Sequence, residues 1–235
     1  MSASATSTSI TTSQVLAKFL ADQKARLAPR TFAQYRSAIE LLQRSLNTYG
    51  PNGLEPADLK RWERRSSAEG DDHLEFCDLF GPEHILSNVD EFLGWFMVRK
   101  VMAGKDLLRA AGTMTKKLAR WLAEQGYVEG AAVDHAVERG GTAGRDLPAA
   151  RKLADLLDEF ASGDREEGEE GPFEIVKVEP GRLSLVGDLD GRSYGAVPVP
   201  EEASRRAKVG WTISGVLCRD GRNWRFAAVW NVYPR

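Results

Sequence analysis

Apolar residues recur at spacings of three and four up to Phe160 and alternate after Gly171, so the pattern predicts helices followed by strands. The first helix is expected from Thr12 or Ser13, side chains that accept an orphan backbone N–H, with Val15, Leu16, Phe19 and Leu20 as its stripe. Pro29 suits the first turn of a second helix carrying Phe32, Tyr35, Ile39, Leu42 and Leu46, which Tyr49-Gly50-Pro51 closes. A short helix is expected over Ala57–Arg65. After Ser87, Val89, Phe92, Leu93, Phe96 and Met97 make an apolar face that ends at Gly104. The next helix runs from Asp106 to Glu124 and buries Leu107, Ala111, Met114, Leu118, Trp121 and Leu122. Two more helices follow: Ala131 to Arg139, and one that starts at Asp146-Leu147-Pro148 and carries Leu153, Leu156, Leu157 and Phe160.

Beyond Gly171 the strands are expected around Phe173–Val178, Leu183–Leu185, Tyr194–Val199, Trp211–Val216 and Trp224–Val232. Asp190-Gly191 marks a turn and Asp220-Gly221 a hairpin. Trp224 and Trp230 fall on alternate positions and are expected in the core. Five short strands in so small a segment predict a β-barrel of OB-like or SH3-like type. Such a domain is marginal alone, so its Trp-rich face should pack on the helices or on a partner.

The organisation this implies is α+β with two domains. Residues 1–12 form a flexible tail, 13–162 a helical bundle with an acidic insertion near 51–86, 163–171 an acidic linker, and 172–235 the barrel. The linker ASGDREEGEEG is almost devoid of apolar groups and cannot bury enough surface to order itself.

Composition narrows the classes. A formal net charge of -2 gives no whole-chain attraction to nucleic acid, so any such attraction must be local. The two cysteines, Cys77 and Cys218, lie far apart and fit a reducing cytoplasm rather than a disulfide scaffold. No apolar run approaches the ~20 residues of a membrane span, and the first residues lack the basic and apolar regions of a secretory signal. Asp71, Asp72, His73, Glu75, Cys77, Asp78 and His84 are metal-ligating types, but their spacing matches no zinc pattern, and no metal is expected. Gly140-Gly141 lacks the strand-then-helix context of a phosphate loop, so no nucleotide cofactor is expected. No nucleophile, base and acid set is visible, and the chain reads as non-enzymatic.

Local charge supplies the candidate chemistry. Arg109, Thr113, Lys116 and Arg120 share one face of the Asp106–Glu124 helix, opposite Leu118 and Trp121, with Lys117 on the flank. Lys24, Arg26, Arg30 and Arg36 cluster around the first interhelix break, with Gln34 among them. Cations presented in this way neutralise phosphates, while Thr113 or Gln34 adds a hydrogen bond. The bland reading is a solvated face opposite the core. A second set, Arg205, Arg206, Lys208, Arg219, Arg222 and Arg225, reads as opposed only by Asp220; interleaved with Trp211 and Trp224 it offers stacking to single strands.

LAKFLADQKARLAPRTFAQYRSAIELLQRSL (Leu16–Leu46) and NVDEFLGWFMVRKVMAGKDLLRAAGTMTKKLARWLAEQGYV (Asn88–Val128) together resemble the N-terminal SAM-like, core-binding domain of tyrosine recombinases, the phage integrase family. The shared pattern is a helix, a break, a Thr-x-x-x-Tyr helix (Thr31 and Tyr35) and two more helices. In that family the domain clamps DNA, and a separate domain cleaves it with a tyrosine and a His-x-x-Arg cluster. Here His73, His84 and His135 are followed three residues on by Phe76, Ser87 and Glu138, and Tyr233 has no such partners. The resemblance therefore implies a DNA-associated protein without strand-exchange chemistry. It would grip duplex backbone through Arg30, Gln34, Arg36, Arg109, Thr113, Lys116, Lys117 and Arg120. The alternative is a protein-interaction adaptor that uses the aromatic-rich barrel or a helical groove.

Overall fold

A computed structural model describes residues 10–163 and 168–234. The tail expected over 1–12 lies mostly outside the described residues, as does the middle of the linker at 164–167. The chain is α+β, and it divides into two compact units. The first holds residues up to Leu93 and Ala110–Thr142, the second Gly94–Arg109 and Ala143 onward.

In the first unit, α1 (Thr12–Lys24) opens with a capping box. Thr11 accepts from the Gln14 N–H and the Gln14 side chain accepts in return from the Thr11 N–H. Helix α2 (Pro29–Tyr49) starts with proline in its first turn. Val15, Leu16, Phe19, Ile39, Leu42 and Leu46 are all buried, as their spacing requires. The Phe19 ring meets Trp121 edge-on, with centroids 5.6 Å apart, and the indole N–H donates to Asp22 at 2.7 Å. The region of the acidic insertion is helical: α3 (Pro56–Ser66), α4 (Phe76–Leu79) and α5 (Glu83–Ser87). Its few apolar groups order it. Phe76, Cys77, Phe80, Ile85 and Leu86 are buried, and the Thr12 N–H donates to the Phe80 carbonyl at 2.8 Å.

A π-helical stretch (Glu91–Phe96) leads into α6 (Met97–Arg99), and α7 spans Lys105–Glu124. The largest departure from expectation is α8 (Ala131–Phe160), one continuous helix where two were expected, with Pro148 inside it. Proline in a helix interior costs ~3 kcal/mol. The buried positions Ala136, Gly140, Ala143, Leu147, Ala150, Ala154 and Leu157 nevertheless keep steps of three and four through it. Burial along that stripe outweighs the local penalty.

In the second unit a five-stranded antiparallel sheet is formed by β1 (Glu169–Glu179), β2 (Arg182–Gly187), β3 (Ser193–Pro198), β4 (Thr212–Asp220) and β5 (Asn223–Tyr233), in the order β3-β2-β1-β4-β5. A short helix, α9 (Glu201–Arg206), follows β3. The expected barrel is corrected to an open sheet. Its edges β3 and β5 approach through the Tyr194 and Trp224 rings, 5.1 Å apart, rather than through a backbone ladder. The β5 edge is already engaged: the Ser162 and Gly163 N–H groups donate to the Phe226 and Ala227 carbonyls, and Asp158 accepts from the Val229 N–H. Ala150, Leu153, Ala154 and Leu157 pack into one core with Phe173, Ile175, Leu183, Leu185, Trp211, Phe226 and Val229.

Bulges set which residues face that core. The β4–β5 register shifts between Ser214 and Gly215 and again between Val216 and Leu217. Each shift turns the following side chains to the other face. Inward positions on β5 thus run Trp224, Phe226, Val229, Val232, and Trp230, expected in the core, is 40% exposed. Trp224 is buried as expected. The hairpin turns on Gly221, whose φ of 60° glycine adopts without the steric cost of a Cβ.

Candidate functional site

A concentration of positively charged side chains lies in the second unit, around a cavity of about 580 Å³. Its wall includes Lys105 and Arg109 from the start of α7, Arg145, Arg151 and Lys152 from α8, and Arg206 from α9. Asp155 is the one carboxylate among the lining residues. The α8 contribution follows helical spacing: Arg145, Pro148, Ala149 and Lys152 are i, i+3, i+4 and i+7, one face of a continuous helix. Gly104 precedes α7, and its carbonyl accepts from Leu107 and Leu108, so the positive end of the α7 dipole lies at the cavity wall.

Two of the cations are held in place. Arg151 pairs with Asp155 at 3.4 Å one helical turn on, and Arg206 pairs with Glu202 at 2.8 Å. Lys105, Arg145 and Lys152 form no ion pair with a described residue. The local potential registers on Glu202. The hydrogen bond from Arg206 holds its carboxyl below the ordinary carboxylate range, and the charges of Arg206, Lys152 and Arg205 act in the same direction. Ala103, Leu108, Pro148 and Ala149 supply the apolar part of the wall.

The residues expected from sequence to grip DNA fall in both units. Arg109 is the member that lines this cavity. In the first unit, exposed Arg36 pairs with Glu40 at 3.7 Å. The Lys117 ammonium sits 6.0 Å from the Tyr35 ring centroid, which brings it beside α2. The Thr113 hydroxyl donates back to the Ala110 carbonyl at 3.2 Å. Lys116 is half-buried, with its backbone closely approached by Gly140. Arg30 and Arg120 are exposed and Gln34 is half-buried.

The second basic set is more neutralised than its sequence implied. Arg205 pairs with Glu201 at 3.9 Å, Arg206 with Glu202, and Lys208 with the buried Asp146 at 2.6 Å. The remaining three gather at the β4–β5 hairpin. Arg219 lies 4.1 Å over the Trp224 ring and donates to the Arg222 carbonyl at 3.4 Å, while Arg225 is 3.9 Å from Asp220. Arg192 lies 5.3 Å from the Trp224 ring as well, and both oxygens of Glu169 accept from it at 2.7 Å. Trp224 is thus a buried ring flanked by arginines, with no open face for a base.

In the acidic cluster Asp71, Asp72, His73, Glu75 and Asp78 are exposed, and Cys77 and His84 are the members that pack inward. Cys77 is buried, its N–H donates to the Asn47 side-chain oxygen at 3.0 Å, and burial followed by the Asp78 and Glu75 charges pushes its thiol up to about 12. His84 meets the Phe76 and Phe80 rings edge-on. Among the described residues no helix is long and apolar enough to cross a membrane.

Lys105, Arg145, Arg151 and Lys152 were not among the residues singled out from sequence. A signal existed in the i, i+3, i+4, i+7 spacing from Arg145 to Lys152, but reading Pro148 as a helix start hides it. No protein-family model, curated protein or solved structure matches the chain.

Proposed function

We propose that the chain is a non-catalytic, DNA-associated protein related to recombinase core-binding domains, and that its basic cavity contacts nucleic-acid phosphate. The observation that carries this reading is the convergence of six cationic side chains from three helices on one cavity with a single carboxylate in its wall. The family relation is supported by the succession of α1, the break at Ala28-Pro29, and α2 with its Thr31 and Tyr35.

Binding of a fluorescent duplex to the full chain, followed by anisotropy, tests the reading. If about four phosphates are contacted, affinity falls ~100-fold or more between ~50 and ~200 mM salt, since each neutralised phosphate contributes about -0.9 to the log–log slope. Replacing Lys105, Arg145 and Lys152 together by alanine should flatten that slope by about 3. A chain that ignores the duplex at the lower salt overturns the proposal.

A second reading, a protein-interaction adaptor, draws on Trp230, which the β5 bulges turn outward to 40% exposure. A co-purifying protein that resists high salt and nuclease, and is lost on Trp230→Ala, would favour it.

A further inference from the structure

We infer that the basic cavity seats a phosphate monoester carrying an organic group of about nucleoside size, and this rests on reading the cavity as a phosphate site. The chemistry is shared by two sources, the 5′-phosphorylated end of a nucleic-acid strand and a free nucleotide.

Shape is the first argument. A protein that follows a duplex backbone spreads its cations along the surface, because successive phosphates of one strand are displaced along the helix. Here Lys105, Arg109, Arg145, Arg151, Lys152 and Arg206 surround a concavity instead. A concavity admits a terminus or a small molecule more readily than the middle of a duplex.

Charge density is the second. An internal phosphodiester carries one negative charge, whereas a monoester carries about -1.5 to -2 at neutral pH, with three acceptor oxygens. The arginine fork at Arg145 suits such a group, and the start of α7 adds its dipole at the same wall. Arg151 and Arg206 are braced by Asp155 and Glu202, so part of the cationic wall is set before a ligand arrives.

Volume is the third. About 580 Å³ far exceeds one phosphate and lies within the usual range for small-molecule and cofactor sites. Leu108, Pro148 and Ala149 give the remainder of the ligand an apolar surface beside the cations.

The test compares two blunt duplexes of identical sequence, 5′-phosphorylated and 5′-hydroxyl, binding to the full chain at moderate salt, with adenosine 5′-monophosphate as competitor. The 5′-phosphorylated duplex is expected to bind about tenfold tighter or more, equivalent to one charge-assisted contact. The preference should shrink as pH falls through ~6, where the monoester takes up its second proton. Arg145→Ala with Lys152→Ala should abolish the preference, with a thermal melt verifying the fold. The comparison between the two duplexes needs no variant, so it stands even if that pair fails to fold.

Equal binding of both duplexes, with no competition by the nucleotide, overturns the inference and leaves the DNA reading standing. No binding of either duplex or of the nucleotide overturns both. Tight binding of the nucleotide alone upholds the monoester site, assigns it to a small molecule, and overturns the DNA reading.

Discussion

Adjacent glycines in α8 should respond to the same substitution with opposite signs. A Cβ on Gly140 would lie 2.6 Å from the Lys116 backbone nitrogen, 2.8 Å from the Gly112 carbonyl oxygen and 3.1 Å from the Lys116 Cα. All three are main-chain atoms of α7, locked by its own hydrogen bonds, so relief requires the two helices to part by roughly 1 Å at that point. A Cβ on Gly141 would meet only the end of the Lys116 side chain, at 3.8 Å, which is ordinary contact. Both substitutions gain ~1 kcal/mol of helix propensity. Gly141→Ala keeps that gain and is expected to stabilise by ~0.5–1 kcal/mol. Gly140→Ala sets the gain against an overpacking cost of ~1–3 kcal/mol, plus the dispersion lost where the helices separate. The expected net effect is a loss of ~1–2 kcal/mol, which leaves the two variants ~1.5–3 kcal/mol apart. Urea unfolding followed by far-UV circular dichroism measures the gap, provided the slope with denaturant is unchanged. Gly140→Ala proving as stable as Gly141→Ala would refute the close crossing of α7 and α8.

Alkaline pH should weaken the fold. Burial, with the Asp78 and Glu75 charges, pushes Cys77 from 9.0 up to about 12, while burial and the bond to Glu169 push Tyr194 from 10.0 to about 12. The folded state holds these protons longer, so their contribution is complete below pH 9 and is lost as pH rises towards 12, at ~1.4 kcal/mol per pH unit for each group once its unfolded form ionises. Urea midpoints between those limits check the slope, which Cys77→Ala should reduce; a flat profile refutes it. The Asp146–Lys208 pair, with the Asp146 side chain 8% exposed and Lys208 54%, should behave as a coupled unit. Lys208→Met is expected to destabilise by ~1–2 kcal/mol by stranding a buried carboxylate, and adding Asp146→Leu should recover part of that loss. Strictly additive changes in a double-mutant cycle would show that the two groups do not interact. Removing the exposed Trp230 ring should leave stability within ~0.5 kcal/mol, whereas Trp224→Ala should cost ~3–5 kcal/mol, and similar losses would refute the β5 register.

Much of the architecture was legible along the chain because it follows from local periodicity. The stripes Val15-Leu16-Phe19 and Ile39-Leu42-Leu46 are buried where a helix places them, and Phe173, Ile175, Leu183 and Leu185 point inward where strands place them. What periodicity misread depended on partners distant in sequence. Pro148 looks like a helix start, and only the burial of Leu147, Ala150 and Leu157 on either side shows why one helix runs through it. Strict alternation puts Trp230 inside, but β-bulges, which arise from pairing with β4, turn it out. Five strands predicted a barrel, yet the β5 edge is occupied by the backbone of Ser162 and Gly163. Charge was the least legible property. Arg206 has its partner Glu202 one helical turn earlier, but Lys208 looked unopposed until folding set it against Asp146, and Lys105 and Lys152 looked unconnected until it brought them to one cavity. A side chain's polarity and period belong to its own segment and can be read there. Which charges from separate elements meet is a matter of distance through space, and packing sets that distance.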